Sequence, residues 1–308
     1  MTSTIKQFLV LGKNGQLGQS LQKVLTDQKI SGVSFAFYGR EAIDLSEPET
    51  VLSFLQSRQV DGIINCAAYT HVDQAEQDAE LADRINHQSV HELAQFCQSQ
   101  DIPLVHISTD YVFDGNQIGA YREHDLPNPI NQYGTSKLKG EQAIHALSPP
   151  GCIIRTSWVH SEYGRNFIKT MQKIGLSKPQ LDVVFDQVGS PTYATHLAKA
   201  ILHMLQHPAF SSCQSELFHF SNEGVTSWYD LAFQIFKQPK SPNVFLSPIS
   251  TDQYPTPAQR PLYTVLDSRK FCHWFDYAIP NWLEGVEECL NHLKPVTSLS
   301  TTPSSQDQ

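Results

Sequence analysis

The chain is predicted to be an α/β protein: a doubly wound parallel sheet followed by a smaller C-terminal α/β lobe. Three observations predict it. Short apolar runs alternate with helical stretches over the first half, the first run ends in a glycine-rich turn leading into a helix, and the alternation breaks after about Trp158. Residues 8–11, 33–38, 62–66, 104–107 and 152–155 are short and mostly apolar, as parallel strands covered on both faces should be. Helices are expected at 19–25, 47–57, 79–99 and 136–146. Glu47-Pro48 opens the second of these, because proline lacks the N–H that a first helical turn leaves unpaired, and Ser46 is its expected cap.

Composition narrows the function classes. A chain of 308 residues with 40% hydrophobic content can bury a full core and is long for one lobe. Its net charge of −9 offers no basic surface to nucleic acid. The six cysteines (Cys66, Cys97, Cys152, Cys213, Cys272, Cys289) lie far apart without a Cys-x-x-Cys pair, so a reduced, cytoplasmic setting is expected rather than a disulfide or thiolate-metal framework. The thirteen histidines are read as scattered surface side chains, and no metal is expected. The first apolar run is too short for a signal peptide, and no stretch nears the ~20 apolar residues that span a bilayer. The expected organisation is a nucleotide-binding domain over 1–157, a mainly substrate-binding lobe over 158–294 with segments returning to the sheet, and a flexible tail over 295–308. The tail is rich in Ser, Thr, Pro and Gln and cannot bury enough surface to order itself.

The first strand runs into Gly12-Lys13-Asn14-Gly15-Gln16-Leu17-Gly18. Gly12 permits a tight turn, Gly15 lets backbone approach a pyrophosphate, and Gly18 lets helix and strand pack closely, while the helix N-terminal amides face negative charge. A Rossmann-type dinucleotide site is the expectation, with Asn14, Gln16 and Leu17 in the loop. The small residues of Asn65-Cys66-Ala67-Ala68-Tyr69 let a nicotinamide ribose and pyrophosphate pass at the carboxyl edge of the sheet. The second strand ends Phe37-Tyr38-Gly39-Arg40, with no carboxylate in the place NAD sites use and a guanidinium nearby that suits a 2′-phosphate, so NADPH is favoured. Asp44 and Leu45 could border the adenine, and with Glu41 close by NADH use stays open.

Tyr133 and Lys137 stand four apart, which on a helix stacks phenol and ammonium on one face. A nearby cation is expected to draw the phenol pKa down toward working pH, making Tyr133 a proton donor to a carbonyl that receives a hydride. Ser108-Thr109-Asp110, a hydroxyl-bearing triplet, ends a candidate strand some twenty-odd positions before this pair.

These blocks together resemble the dTDP-4-dehydrorhamnose reductase family of extended short-chain dehydrogenases/reductases. The resemblance runs almost end to end, through Asn65-Cys66-Ala67-Ala68-Tyr69-Thr70-His71-Val72-Asp73, Ser108-Thr109-Asp110-Tyr111-Val112-Phe113-Asp114-Gly115, Tyr133-Gly134-Thr135-Ser136-Lys137, Arg155-Thr156-Ser157-Trp158-Val159, Asp186-Gln187-Val188-Gly189-Ser190-Pro191-Thr192 and Arg260-Pro261. It implies reduction of the C4 ketone of dTDP-4-dehydro-L-rhamnose, with Tyr133 as proton donor, Lys137 on the ribose and Thr109 on the carbonyl. It also implies a sugar pocket of Val72, Asp110, Trp158, Asn166, Asp186 and Gln187, with Arg260 toward the diphosphate, although Trp158 would serve equally as core. Another dTDP-4-keto-6-deoxy sugar, or a non-catalytic regulatory subunit like the methionine adenosyltransferase beta subunit, are the alternatives it leaves. Some members build a magnesium-linked dimer from three glutamates. The matching positions here lie near Ser20, Thr195 and His292, so magnesium is not expected and the chain is read as a monomer or weak homodimer.

Overall fold

Six parallel strands form the central sheet of the computed structural model, which describes residues 6–239 and 241–293. Five come from the first half: β1 (Lys6–Leu11), β2 (Val33–Tyr38), β3 (Gly62–Asn65), β4 (Leu104–Thr109) and β5 (Gly151–Thr156). The sixth, Glu216–His219, pairs with β5 and gives the order Glu216–His219, β5, β4, β3, β1, β2. β1 lies between β2 and β3, so the chain changes its direction of travel across the sheet there. That switch opens a crevice at the carboxyl ends of β1 and β3, where open α/β sheets take ligands.

Alternation along the strands divides the core in two. Phe8, Val10, Ile64, Val105 and Ile154 face α1 (Gln16–Asp27) and the helices Ala194–Gln206 and Arg269–Phe275. Leu9, Leu11, Ile63, Leu104 and Ile153 face α2 (Pro48–Gln56) and the helices Ser89–Gln100 and Gln132–Leu147. Toward the carboxyl edge this second face turns polar while remaining buried: Asn65, His106, Ser108 and Arg155 continue its rows. Glu141 of the Gln132–Leu147 helix meets them. Arg155 Nε and Nη2 donate to its two oxygens at 2.9 and 2.6 Å, and the Ser108 hydroxyl also donates to it.

Several boundaries differ from expectation. α1 starts at Gln16, immediately after its cap Gly15. α2 starts at Pro48 as expected, but its cap position is Glu47; the Ser46 hydroxyl donates to Asp44 instead, at 2.7 Å. The helix read over 79–99 is Ala79–Asp83 and Ser89–Gln100 joined by a π-helical turn, Arg84–Gln88. The helix read from 136 begins at Gln132, because Asn131 Oδ1 accepts the Gly134 N–H at 2.8 Å. After β5, short two-stranded sheets (Gln180–Val184 with Phe245–Ile249 among them) and the helices Phe167–Gly175, Trp228–Phe236 and Trp282–His292 build the lobe. The tail over 295–308 lies outside the described residues. Among the described residues no helix is long and apolar enough to cross a membrane.

Arg155 and Glu141 are 3% and 2% exposed, so replacing Arg155 by Met strands a buried carboxylate. Unfolding in urea should show a loss of about 3–5 kcal/mol for Arg155→Met; a loss under about 1 kcal/mol would show that the pair is not what seats this helix.

Candidate active site

The glycine loop closes the amino end of the crevice. Gly12 has φ +85°, and a Cβ there would stand 2.8 Å from the Ala67 nitrogen; one on Gly18 would overlap the Gly12 carbonyl. Both glycines are required by the protein itself. Gly15 is less crowded: an added Cβ would stand 3.3 Å from the Gly12 carbonyl oxygen, a tight contact that a shift of a few tenths of an ångström relieves. Its bareness leaves room for a group from outside. Gly15 is the N-cap of α1 without a side-chain cap, and the first turn holds no acidic residue, so the first-turn amides are left to an anion. These features fit a dinucleotide pyrophosphate. Asn14 lends its carbonyl to Gln19 Nε2 at 2.8 Å, Leu17 is buried in the core beneath the loop, and Ala67, against Gly12, begins the opposite wall with Ala68.

Gln16 and Asn166 have a job that the sequence does not reveal. Gln16 Nε2 donates to Val159 O at 3.2 Å, and its Oε1 accepts from Ser161 Oγ and Asn166 Nδ2, both at 2.9 Å. Asn166 Oδ1 caps the helix Phe167–Gly175 through the Lys169 N–H at 3.1 Å. The two amides stitch the loop to the 159–166 segment.

At the end of β2, Arg40 is exposed and its Nε donates to Asp44 Oδ2 at 2.9 Å. Lys13 pairs with Glu41 at 2.5 Å beside it, a second cation that the sequence does not single out. The Leu45 side chain is buried in the core under α2.

The catalytic candidates meet at the carboxyl end of β4. A Cβ on Gly134 would overlap the Tyr111 carbonyl, so glycine lets the helix start directly against the turn after β4 and sets Tyr133 there. Tyr133 joins Tyr69, Val72 and Tyr111 in one cluster, edge-on to Tyr111 at 5.7 Å. Asn86 in the π-helical turn holds Tyr69 by both backbone groups, accepting its N–H at 2.9 Å and donating to its carbonyl at 3.0 Å. Thr109 Oγ1 donates to Asp110 Oδ1 at 3.1 Å and accepts the Tyr111 N–H at 3.2 Å. Tyr69 Oη and Asp110 Oδ2 are buried without a hydrogen-bond partner, and such groups mark where a polar ligand belongs.

Protonation differs from expectation. Burial pushes the Tyr133 phenol up to about 12; the neighbouring Thr109 hydroxyl opposes this and the Asp110 charge reinforces it. Lys137 does not draw it down, because its Nζ donates to Ile107 O at 2.6 Å and lies 3.1 Å from His106 Nε2. Burial brings Lys137 itself down to about 8, against the pull of Glu141. Tyr133 therefore carries a transferable proton throughout the neutral range. Burial raises Asp110 to about 6, opposed by the nearby hydroxyls of Thr264 and Thr109.

In the lobe, Trp158 sits at φ +47° and stacks on Trp228, ring centroids 3.5 Å apart and planes within 5°. Trp228 belongs to no block legible in the sequence. Its Nε1 donates to Gln187 Oε1 at 3.2 Å, and Gln187 Nε2 donates to Thr251 Oγ1 at 3.2 Å. Asp186 accepts the Thr251 hydroxyl at 2.7 Å and its N–H at 3.0 Å. Asp186 and Gln187 thus brace the tryptophan pair and the loop at Thr251. Arg260 does not stand open as an anion clamp: its fork closes on Asp73, at 2.9 and 2.7 Å, because that carboxylate from the β3 side is its nearest counter-ion. The Ser20 and Thr195 hydroxyls face each other at 3.5 Å.

Residues 6–294 match the family model described as RmlD substrate binding domain. The chain belongs to this family. Its RmlD-family relatives include the dTDP-4-dehydrorhamnose reductase of Escherichia coli K12, 36% identical over 298 residues, covering 95% of this chain and 99% of the relative. That of Aggregatibacter actinomycetemcomitans is also 36% identical, over 91% of this chain and 97% of the relative. The solved dTDP-4-dehydrorhamnose reductase of Bacillus anthracis, in complex with NADP, superposes with a TM-score of 0.85 at 35% identity, covering 94% of this chain and 100% of that one.

The two loop glycines separate folding from binding. Gly15→Ala should melt like the parent but bind NADPH at least about tenfold more weakly, equivalent to roughly 1.4 kcal/mol. Gly18→Ala should lower the melting temperature. Undiminished NADPH titration of Gly15→Ala would remove the pyrophosphate from this loop.

Proposed function

We propose that this chain reduces the C4 ketone of dTDP-4-dehydro-L-rhamnose to dTDP-L-rhamnose with NADPH. The observation that carries the reading is Thr109, Tyr133 and Lys137 together at the carboxyl edge of the sheet, with a glycine loop at the same edge whose helix N-terminus has no side-chain cap. Bound NADPH supplies the hydride. Tyr133, kept protonated by burial, gives its proton to the carbonyl oxygen as negative charge develops there, and the Thr109 hydroxyl orients that oxygen. Gly12, Asn14, Gly15, Gln16, Leu17 and Gly18 form the cofactor loop, Ala67, Ala68 and Tyr69 the opposite wall, with Arg40 and Asp44 at the adenosine end and Lys137 beneath the ribose. Val72, Asp110 and Trp158 flank the sugar, while Asn166, Asp186, Gln187 and Arg260 shape the pocket from behind. The intact Ser157-Trp158-Val159 and Asp186-Gln187-Val188-Gly189 blocks favour an enzyme over a regulatory subunit. Six free cysteines suit the reducing cytoplasm, and without glutamates at Ser20, Thr195 and His292 the chain is read as a monomer or weak homodimer.

The direct test is NADPH oxidation with a panel of dTDP-4-keto-6-deoxy sugars. Turnover confined to a different sugar would replace the substrate, and none with any would replace the activity. Tyr133→Phe keeps the ring and removes the proton, so kcat should fall by about two to four orders of magnitude with cofactor affinity little changed. A variant keeping more than about a tenth of the parent kcat would assign the proton to another group.

Arg40→Ala removes a cation and leaves Asp44 unpaired where only NADPH carries a 2′-phosphate. KM for NADPH should rise severalfold or more while KM for NADH stays nearly constant. Equal losses with both cofactors would make Arg40 structural.

A further inference from the structure

Lys137 is held by a buried chain of polar groups outside the Tyr-Lys pair. Asn65 and His106 are register partners on β3 and β4, so their side chains stand side by side on one sheet face. The Ala67 N–H donates to Asn65 Oδ1 at 3.1 Å, which fixes the amide and turns its NH2 toward His106 Nδ1, also at 3.1 Å. Nδ1 is therefore the acceptor, and a neutral His106 carries its proton on Nε2. That Nε2–H faces Lys137 Nζ at 3.1 Å. An ammonium there would set donor against donor; an amine accepts the proton and still donates to Ile107 O.

We propose that Asn65 and His106 are positioning residues that set the charge of Lys137: Asn65 selects the Nε2–H tautomer of His106, and that N–H favours the amine form of Lys137. The proposal rests on the reductase reading for its kinetic consequence, though not for its structural one. The other charged groups near Lys137 do not replace this control. Glu141, one turn along its helix, is occupied by Arg155 and Ser108, and Arg155 also meets His219, which burial keeps neutral. Tyr133 on the same helix is a neutral phenol, Asp110 lies beyond it after β4, and the Cys66 thiol at the end of β3 is held neutral by burial. Burial likewise keeps His106 from protonating.

Asn65→Asp inverts the relay while keeping shape and the bond from Ala67. A carboxylate at this position accepts a hydrogen bond from His106 Nδ1–H, so the ring proton moves to Nδ1 and the Nε2 lone pair is left to accept from a Lys137 ammonium. If turnover needs charged Lys137, activity falls as pH rises through its pKa. A raised pKa carries the alkaline limb upward, by about one pH unit or more.

The test uses the full chain and two readouts. Long-range 1H–15N NMR of histidine-labelled protein should show His106 protonated on Nε2 in the parent and on Nδ1 in Asn65→Asp. The Lys137 Nζ signal, assigned with Lys137→Met, should titrate higher in the variant, and the alkaline limb of kcat should move with it. A parent His106 protonated on Nδ1 or on both nitrogens overturns the proposal. So does an inverted tautomer with the Lys137 titration unmoved. Should Asn65→Asp fail to fold, the parent's tautomer decides alone. Absence of turnover with every dTDP-4-keto sugar would sink the reductase reading and leave the tautomer and the Lys137 titration to decide the relay.

Discussion

The buried contact of Glu141 with Arg155 and Ser108 joins the Gln132–Leu147 helix to β4 and β5, and the placement of the reacting groups depends on it. A sheet face that is leucine and isoleucine at one end becomes asparagine, histidine, serine and arginine at the other, still in the same two-residue rhythm. Such a face is unfavourable alone, because each buried polar group must find a partner. The helix supplies the partners, Glu141 for Arg155 and Ser108, Lys137 for His106. One register satisfies both, and that register puts Tyr133 at the end of β4.

Much of this is legible in the sequence because buried parallel strands announce themselves as apolar runs. β1 to β5 stand out for that reason. Glu216–His219 does not: its strand opens on a glutamate, whose charge Lys270 answers from another element. Helix starts are hidden where the capping group is a bare glycine or an asparagine outside the expected run. The π-helical turn departs from the 3.6-residue period, yet it holds Asn86 against Tyr69.

The site divides the same way. Local spacing reveals the glycine loop and the Tyr133–Lys137 pair. It does not reveal that Arg260 closes on Asp73, or that Asn166 turns to Gln16, since those partners lie far apart along the chain. Nor does it give the phenol's direction of shift, which burial decides. His106 does carry a local signal: in Leu104-Val105-His106-Ile107-Ser108 the polar residues fall on alternate positions, the mark of a strand with one polar face.

The amide of Gln16 belongs to the nucleotide loop by position and to the distal lobe by its bonds to Val159, Ser161 and Asn166. Groups sharing one network do not contribute independently. The loop and the 159–166 segment thus form a single unit of inheritance: a change in one is tolerated in the company of a matching change in the other, and a lobe grafted onto a foreign nucleotide domain would have to bring its glutamine along.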